Sequence, residues 1–407
     1  MTDAARKSLG DYVYVKHGFA FKGEYFTDDP TPDVLVTPGN FAIGGGFQDE
    51  KLKYYAGPVP DDYVFEQGDL VITMTDLSKA GDTLGYPALI PASTGKRYLH
   101  NQRIGLVEIH DEEQVDKRFL FYRLRASDYR HHILGTASGS TVRHTSPGRI
   151  CQFETTPPPI DEQRAIAAVL GALDDKIEQN RRTARSLERL ARAIFRAWFV
   201  DFEPVKAKAA GATAFPSMPQ PVFDALPTRF VDSDVGLVPD GWEVKALSSI
   251  CTLVGGGTPK RSEATYWDGD VPWYSVKDAP SPGELWVIRT SERISVDGLA
   301  DSAARVVPKG CTIISARGTV GKLAMAGVPM AFNQSCYGLL PGDGESFGYL
   351  HLLMQSVVAV LQQRVHGSVF DTITRATFDP IFLSYPVPNA VSPRFGLGAQ
   401  ANIRSTM

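Results

Sequence analysis

Residues 160–205 read IDEQRAIAAVLGALDDKIEQNRRTARSLERLARAIFRAWFVDFEPV, and this stretch decides the architecture. Within it Ile166, Leu170, Leu173, Ile177, Asn180, Ala184, Leu187, Ala191, Ile194 and Trp198 recur in alternating steps of four and three. That is a heptad seam over 33 residues, about 50 Å of helix at ~1.5 Å per residue. Its start is marked by Pro157 to Pro159 and by Asp161 and Glu162, acids that a helix dipole favours in a first turn. A helix buried inside one domain shows a wider, less regular stripe. The spacing therefore predicts a coiled-coil-type helix, with Leu170, Leu173, Ile177, Leu187 and Ile194 as packing positions and Asn180 as the polar residue that fixes register. Arg185, Arg189, Arg192 and Arg196 share a face away from the seam, which reads equally as a solvated face or as a docking surface for an acidic partner or DNA.

On either side of this helix the chain resembles itself. Phe153-Glu154-Thr155-Thr156-Pro157-Pro158-Pro159 matches Phe382-Leu383-Ser384-Tyr385-Pro386-Val387-Pro388. Asn101-Gln102 matches Asn333-Gln334, and Gly139-Ser140 matches Gly367-Ser368. Glu66-Gln67-Gly68-Asp69 before Leu70 to Thr73 pairs with Pro308-Lys309-Gly310-Cys311 before Thr312 to Ser315. Four matches in one order, at nearly one offset, indicate two copies of one domain; the period is far too long for a solenoid. Each copy begins with short strands broken by Gly and Pro and then carries one longer helical pattern, Lys117 to Leu134 and Phe347 to Val365. Strands followed by a helix, without βαβ alternation, predict an α+β fold: two homologous domains separated by the long helix. The boundaries read as residues 1–156 (first domain), 157–205 (central helical region), 206–240 (an Ala-, Pro- and Gly-rich linker), 241–388 (second domain) and 389–407 (a short distal region).

Composition agrees with this division. The 407 residues suit two or three domains, and 43% hydrophobic with 22% charged residues excludes wholesale disorder. A net charge of −4 argues against a non-specific nucleic-acid coat but leaves room for local basic surfaces. Cys151, Cys251, Cys311 and Cys336 are spaced neither as a disulfide framework nor as zinc ligands. The N-terminus has no apolar run of signal-peptide length. The longest apolar stretch, His351 to Leu361, is broken by Gln355 and falls far short of the ~20 residues that span a bilayer. A soluble protein of a reducing compartment, the cytoplasm, is expected.

Catalytic motifs mostly fail. Gly318-Thr319-Val320-Gly321-Lys322 approaches a phosphate loop, but Leu323 stands where Ser or Thr is required, so a tight turn presenting a lysine is expected. Pro32-Asp33 with Asp49-Glu50-Lys51 fits a permissive nuclease pattern that a solvated turn fits better. Gly44 to Gly46 and Gly255 to Gly257 lack the spaced third glycine of a dinucleotide site. Zinc-protease, serine-hydrolase and deaminase patterns are missing, as is the Asn-Pro-Pro-aromatic motif of amino-methyltransferases. His131 and His132 read as a solvated pair on a helix. No catalytic or metal-ligating residue emerges.

What remains is a set of polar and basic residues at corresponding places in each copy. In the first these are Lys16, Lys22, Lys79, Arg97, Gln102, Arg143 and His144; in the second, Lys260, Arg261, Lys277, Arg317, Lys322, Gln334 and Arg375. Arg and Lys meet phosphates or guanine, and Gln can read adenine, so these are candidate DNA-binding residues. Tyr14, Phe21, Trp273 and Tyr274 lie near them in sequence.

Pro158 to Arg164, the heptad helix, and Phe195 to Val205 resemble the central conserved region of DNA-specificity subunits of type I restriction-modification systems. Val235 to Val244, Arg317 to Lys322 and Asn333-Gln334 are similar to the approach to, and turns within, that family's target-recognition domains. The resemblance covers nearly the whole chain. It implies two recognition domains that each read one half of a split sequence in double-stranded DNA, with conserved helices that dock methyltransferase subunits. Adenine methylation by those subunits uses S-adenosylmethionine, and a separate restriction and translocase subunit uses ATP and Mg. The chain itself is then a non-catalytic subunit without a cofactor. A self-contained nuclease or methyltransferase is the alternative.

One departure stands out. The family carries a second long helix after the second domain, whereas Asn389 to Met407 offers about nineteen residues. The seam is therefore expected to be completed by another chain, a second copy or a methyltransferase subunit.

Overall fold

The computed structural model describes residues 7–49, 51–76, 78, 80–281, 284–342, 345–366 and 372–386. The chain divides into two compact units, residues 1–178 and 179–407. A single 40-residue helix, Ile160–Phe199, gives its first half to one unit and its second half to the other.

In the first unit the strands Val13–His17, Ile104–Ile109, Leu70–Thr73 and Pro87–Leu89 form an antiparallel sheet in that order. A second sheet runs Phe26–Thr27, Lys53–Tyr55, Asp33–Leu35, Arg97–Leu99. Val13, Leu70 and Ile72 are buried against Leu120, Tyr129, Ile133 and Ile150 from the helical layer. Each such side chain contributes about 1.5–3 kcal/mol.

The second unit repeats the plan. Its five-stranded sheet runs Cys251–Gly255, Cys336–Pro341, Thr312–Ser315, Leu323–Ala326, Trp286–Val287. Leu350, Met354 and Leu361 of the helix Phe347–His366 pack on it with Phe195, Trp198 and Phe199 from the central helix.

The repeat is legible bond by bond. Gly68 N–H donates to Ile90 O (2.9 Å), as Gly310 N–H does to Ala326 O (2.8 Å); Gly85 N–H donates to Thr73 O (2.8 Å), as Gly321 N–H does to Ser315 O (2.9 Å). All four glycines have positive φ, which an L side chain adopts only under strain. The matches of Glu66–Thr73 with Pro308–Ser315 and of Asn101-Gln102 with Asn333-Gln334 thus hold in three dimensions. The third needs a shift of one residue. Leu9 N–H donates to Phe153 O (2.7 Å) and Leu247 N–H to Ile381 O (2.8 Å), so Ile381, not Phe382, stands where Phe153 does. Both are buried, while Phe382 is exposed. Gly367-Ser368 and residues 389–407 lie outside the described residues.

Two local expectations change. The helical pattern Lys117 to Leu134 is two helices, Lys117–Arg123 and Ser127–Thr136. The break at Ala126, in extended conformation, lets Leu120 from one helix and Ile133 from the other reach the same core. Residues 206–240, expected as a linker, contain the end of the helix Glu203–Ala209 and the helix Gln220–Asp224. Val222, Phe223 and Leu226 from this segment are buried in the second unit's core, and the Lys208 ammonium caps Asp224 O (2.7 Å). These helices are too short to show a period, which is why the pattern looked loop-like.

Candidate nucleic-acid interface

The Asn-Gln turns sit at the centre of the same backbone frame in both units. In the first, Arg103 N–H donates to Asn101 Oδ1 (3.2 Å), closing the turn as a side-chain mimic of backbone. Met74 N–H donates to Arg103 O (2.8 Å), and Thr145 N–H donates to Met74 O (3.0 Å). In the second, Ser335 N–H donates to Asn333 Oδ1 (3.1 Å), Ala316 N–H to Ser335 O (2.7 Å), and Ile373 N–H to Ala316 O (2.9 Å). A glycine closes each frame, since a Cβ on Gly18 would lie 2.1 Å from Asn101 O and one on Gly256 would lie 2.1 Å from Asn333 O. Asn therefore holds the turn while the following Gln is exposed.

Around the second frame the structure brings together Gln334, Arg317, Lys322 and Arg375. Arg317 pairs through its backbone with Thr372, and the Arg375 guanidinium donates to Leu253 O (3.1 Å). Lys322 is exposed at the end of the expected tight turn, which Ser315 Oγ closes by accepting Lys322 N–H (2.9 Å). Gln334 Oε1 accepts the Thr258 hydroxyl. Lys260 and Lys277 are exposed on flanking turns; Lys260 lies 3.8 Å from Glu263. Arg261 is engaged otherwise: it forks onto Glu292 and lies 3.8 Å over the Trp267 ring and 5.2 Å from that of Trp273. That hydrogen-bonded pairing holds the Glu292 carboxyl below its ordinary pKa. Arg261 thus packs against the Trp267–Tyr274 strand while its side chain stays exposed.

Around the first frame lie Gln102, Arg143 and His144. Arg143 and His144 pair with Asp76 and Thr75 in a two-residue ladder, and His144 Nδ1 lies 3.2 Å from Thr75 Oγ1. Burial raises the Asp76 carboxyl, but hydrogen bonds from Ser78 and Thr83 outweigh it and lower the pKa overall. Lys16 donates to Asp62 O (3.1 Å) and sits over the Tyr63 ring, and Arg97 forks onto Asp33 at 2.7 Å through both nitrogens. Those two cations, like Arg261, have partners within their own unit. Asp33, the first acid of the nuclease pattern, is the carboxylate that Arg97 holds. Lys22 is exposed, 3.8 Å from Glu24; Lys79 lies outside the described residues. Sequence reasoning missed Arg103, exposed beside Gln102, and the two framing glycines; the duplicated Asn-Gln was the signal that could have found them.

The central helix is tied to each unit by polar groups, Gln163 fully buried and Asp174 and Glu188 half-buried. Gln163, fully buried, accepts Asp116 N–H (3.0 Å) and donates to Gln114 O (2.8 Å) and Pro158 O (2.7 Å). Asp174 accepts the Tyr122 hydroxyl (2.9 Å), and burial together with that bond pushes the phenol up to about 12. In the second unit Gln355 donates to Glu188 Oε1 (3.4 Å) and to His351 Nε2 (2.9 Å), whose Nδ1 lies 3.1 Å from Thr312 Oγ1. The seam itself is satisfied only towards its ends. Leu170 and Ile194 are half-buried, whereas Leu173, Ile177 and Leu187 are 58%, 49% and 60% exposed and Asn180 is exposed too. His132 also departs from expectation, being half-buried with Nε2 2.8 Å from Arg149 O, while His131 is exposed.

Among the described residues no group of His, Cys, Asp and Glu could hold a metal ion, and no helix is long and apolar enough to cross a membrane. A family profile described as type I restriction modification DNA specificity domain matches residues 5–189 and 239–391. The chain is 27% identical over 311 residues to the type I restriction enzyme HindI specificity subunit of Haemophilus influenzae, a match covering 66% of this chain and 67% of that one. It is 29% identical over 163 residues to the MjaIX specificity subunit of Methanocaldococcus jannaschii, covering 40% of this chain and only 38% of the relative. The fold is similar to a type I restriction-modification S subunit from M. genitalium, with a TM-score of 0.53 and 14% identity over 95% of this chain and 86% of that one.

Proposed function

This chain belongs to the type I restriction-modification DNA specificity family, and from that premise we propose that its two units each read one half of a split DNA target on behalf of partner enzymes. In this family's role the chain is the DNA-recognition subunit and not itself an enzyme. Adenine methylation with S-adenosylmethionine falls to methyltransferase subunits, and cleavage with ATP and Mg to a restriction subunit. The observation that carries the bipartite reading is the duplicated frame: two turns with the same hydrogen bonds, each presenting Gln beside basic residues. Arg317, Lys322 and Arg375 in one unit, and Arg143 and His144 in the other, supply the phosphate and base contacts.

The recognition domains correspond to residues 1–156 and 241–388, with the central helix between them as the docking element for methyltransferase subunits. The exposed Leu173, Ile177 and Leu187 support a partner along that helix, because solvent-exposed apolar seams favour association. A second copy of the chain is an alternative occupant. A cytoplasmic setting follows from the task of surveying chromosomal DNA. The reading is tested by mapping methylated adenines in the source genome before and after deletion of this gene. A split motif that vanishes on deletion is expected; unchanged methylation contradicts it.

A further inference from the structure

Gln102 and Gln334 follow the two turn-closing asparagines and are held by equivalent backbone bonds, yet almost everything exposed around them differs. At the surface Arg103 corresponds to Ser335 and His144 to Thr372 through the matched hydrogen bonds, and beneath them the buried Met74 corresponds to the buried Ala316. Two sites that read different bases through different side chains gain nothing from sharing one reader. A side chain common to both meets what the two half-sites have in common.

We propose that Gln102 and Gln334 are a matched pair of anchors, each donating an amide N–H to a DNA phosphate oxygen and so fixing its unit's register without reading a base. This rests on the DNA-recognition reading above. The second unit shows the orientation. Gln334 Oε1 accepts the Thr258 hydroxyl, which leaves the amide N–H groups as the outward end. Bidentate pairing with adenine needs Oε1 to turn towards the base as well, with the Thr258 bond holding it back, whereas a phosphate oxygen needs only the outward N–H groups. Phosphate contacts set register and orientation and carry no sequence information, which suits a residue repeated in both halves. Gln102 is exposed in the same frame and has no hydrogen bond from its amide among the described residues.

The full chain, with the subunits that co-purify with it, is used to select sites from a randomised duplex library, and its affinity for those sites and for one fixed unrelated duplex is measured over a salt series. Gln102→Ala and Gln334→Ala should each weaken both affinities about 5–10-fold, leave the salt slope unchanged and select the same sites as the unaltered chain. Gln102→Glu should bind more weakly than Gln102→Ala, through repulsion from phosphate. Gln102→Arg should recover binding and steepen the salt slope by about 0.9, a gain that a purely structural role cannot produce. Loss of preference for one base in one half-site would make the residue a base reader and overturn the proposal, as would Ala variants that bind like the unaltered chain. If the unaltered chain enriches no site at all, the recognition reading itself fails and this proposal with it.

Discussion

The two units hold one backbone plan and dress it differently. Lys322 O accepts Ser315 N–H at 2.9 Å and Tyr86 O accepts Thr73 N–H at 3.2 Å, so an exposed lysine in one unit stands where the other has a tyrosine covered by the Arg130 guanidinium. The second unit stabilises its strand edge with Arg261 stacked on tryptophans, while the first places Lys16 over Tyr63. Even the buried histidines are matched in state but not in position. Burial pushes His100 and His351 each down to about 4, yet His351 is bonded at both nitrogens whereas His100 bonds through Nε2 to Ile104 O (2.9 Å) and leaves Nδ1 without a partner among the described residues. Backbone hydrogen bonds and positive-φ glycines preserve geometry, and the side chains are free to diverge over it. A fold that must present different DNA-reading surfaces gains from that separation.

The largest effect on this equivalence is expected from Gly18→Ala and Gly256→Ala. Each adds a Cβ 2.1 Å from a backbone oxygen that is already hydrogen-bonded into the frame, so each should cost about 3 kcal/mol or more, measured by urea unfolding. If only one is costly, the frames are not equivalent.

An effect of the same order, for each of the two histidines, is expected from pH. Both histidines are depressed from 6.5 to about 4, so the fold gains fully from their neutral form above pH 6.5. That advantage falls as the pH drops from 6.5 to 4, because the unfolded chain takes up the proton first. At about 1.4 kcal/mol per pH unit, each histidine accounts for roughly 3 kcal/mol across the window. Unfolding measured from pH 7 to pH 4 should show the loss, and His351→Gln should remove the second unit's share. A flat profile would contradict the burial of both rings.

The smallest effect separates the units. Lys322→Ala should reduce the salt slope of DNA binding by about 1, whereas Tyr86→Ala at the matched place should leave it unchanged. Equal slopes in both variants would place Lys322 off the DNA.

Much of this was legible in the sequence because it depends on period and repetition. The seam predicted the central helix, and the duplicated Asn-Gln and Gly-Asp/Gly-Cys segments located the frame. The one-residue slip at Phe153 arose because Phe382 looked like its match by type, whereas register is set by Leu9 and Leu247 at the start of each unit. The partners of three candidates were hidden for a different reason. Lys16, Arg97 and Arg261 are basic residues of the right type, but Tyr63, Asp33 and Glu292, which hold them, are 31–64 positions away and no local pattern announces such pairs. The short helices after residue 203 were hidden likewise, since Val222 and Phe223 show their burial only in the folded core.

The most direct test of the central claim is the architecture of the DNA site itself, determined by sequencing duplexes retained by the full chain with its co-purifying subunits from a randomised library. Two equivalent reading units predict two short conserved half-motifs separated by a gap of fixed length and unspecified sequence. A single continuous motif, or retention without any motif, would contradict the account.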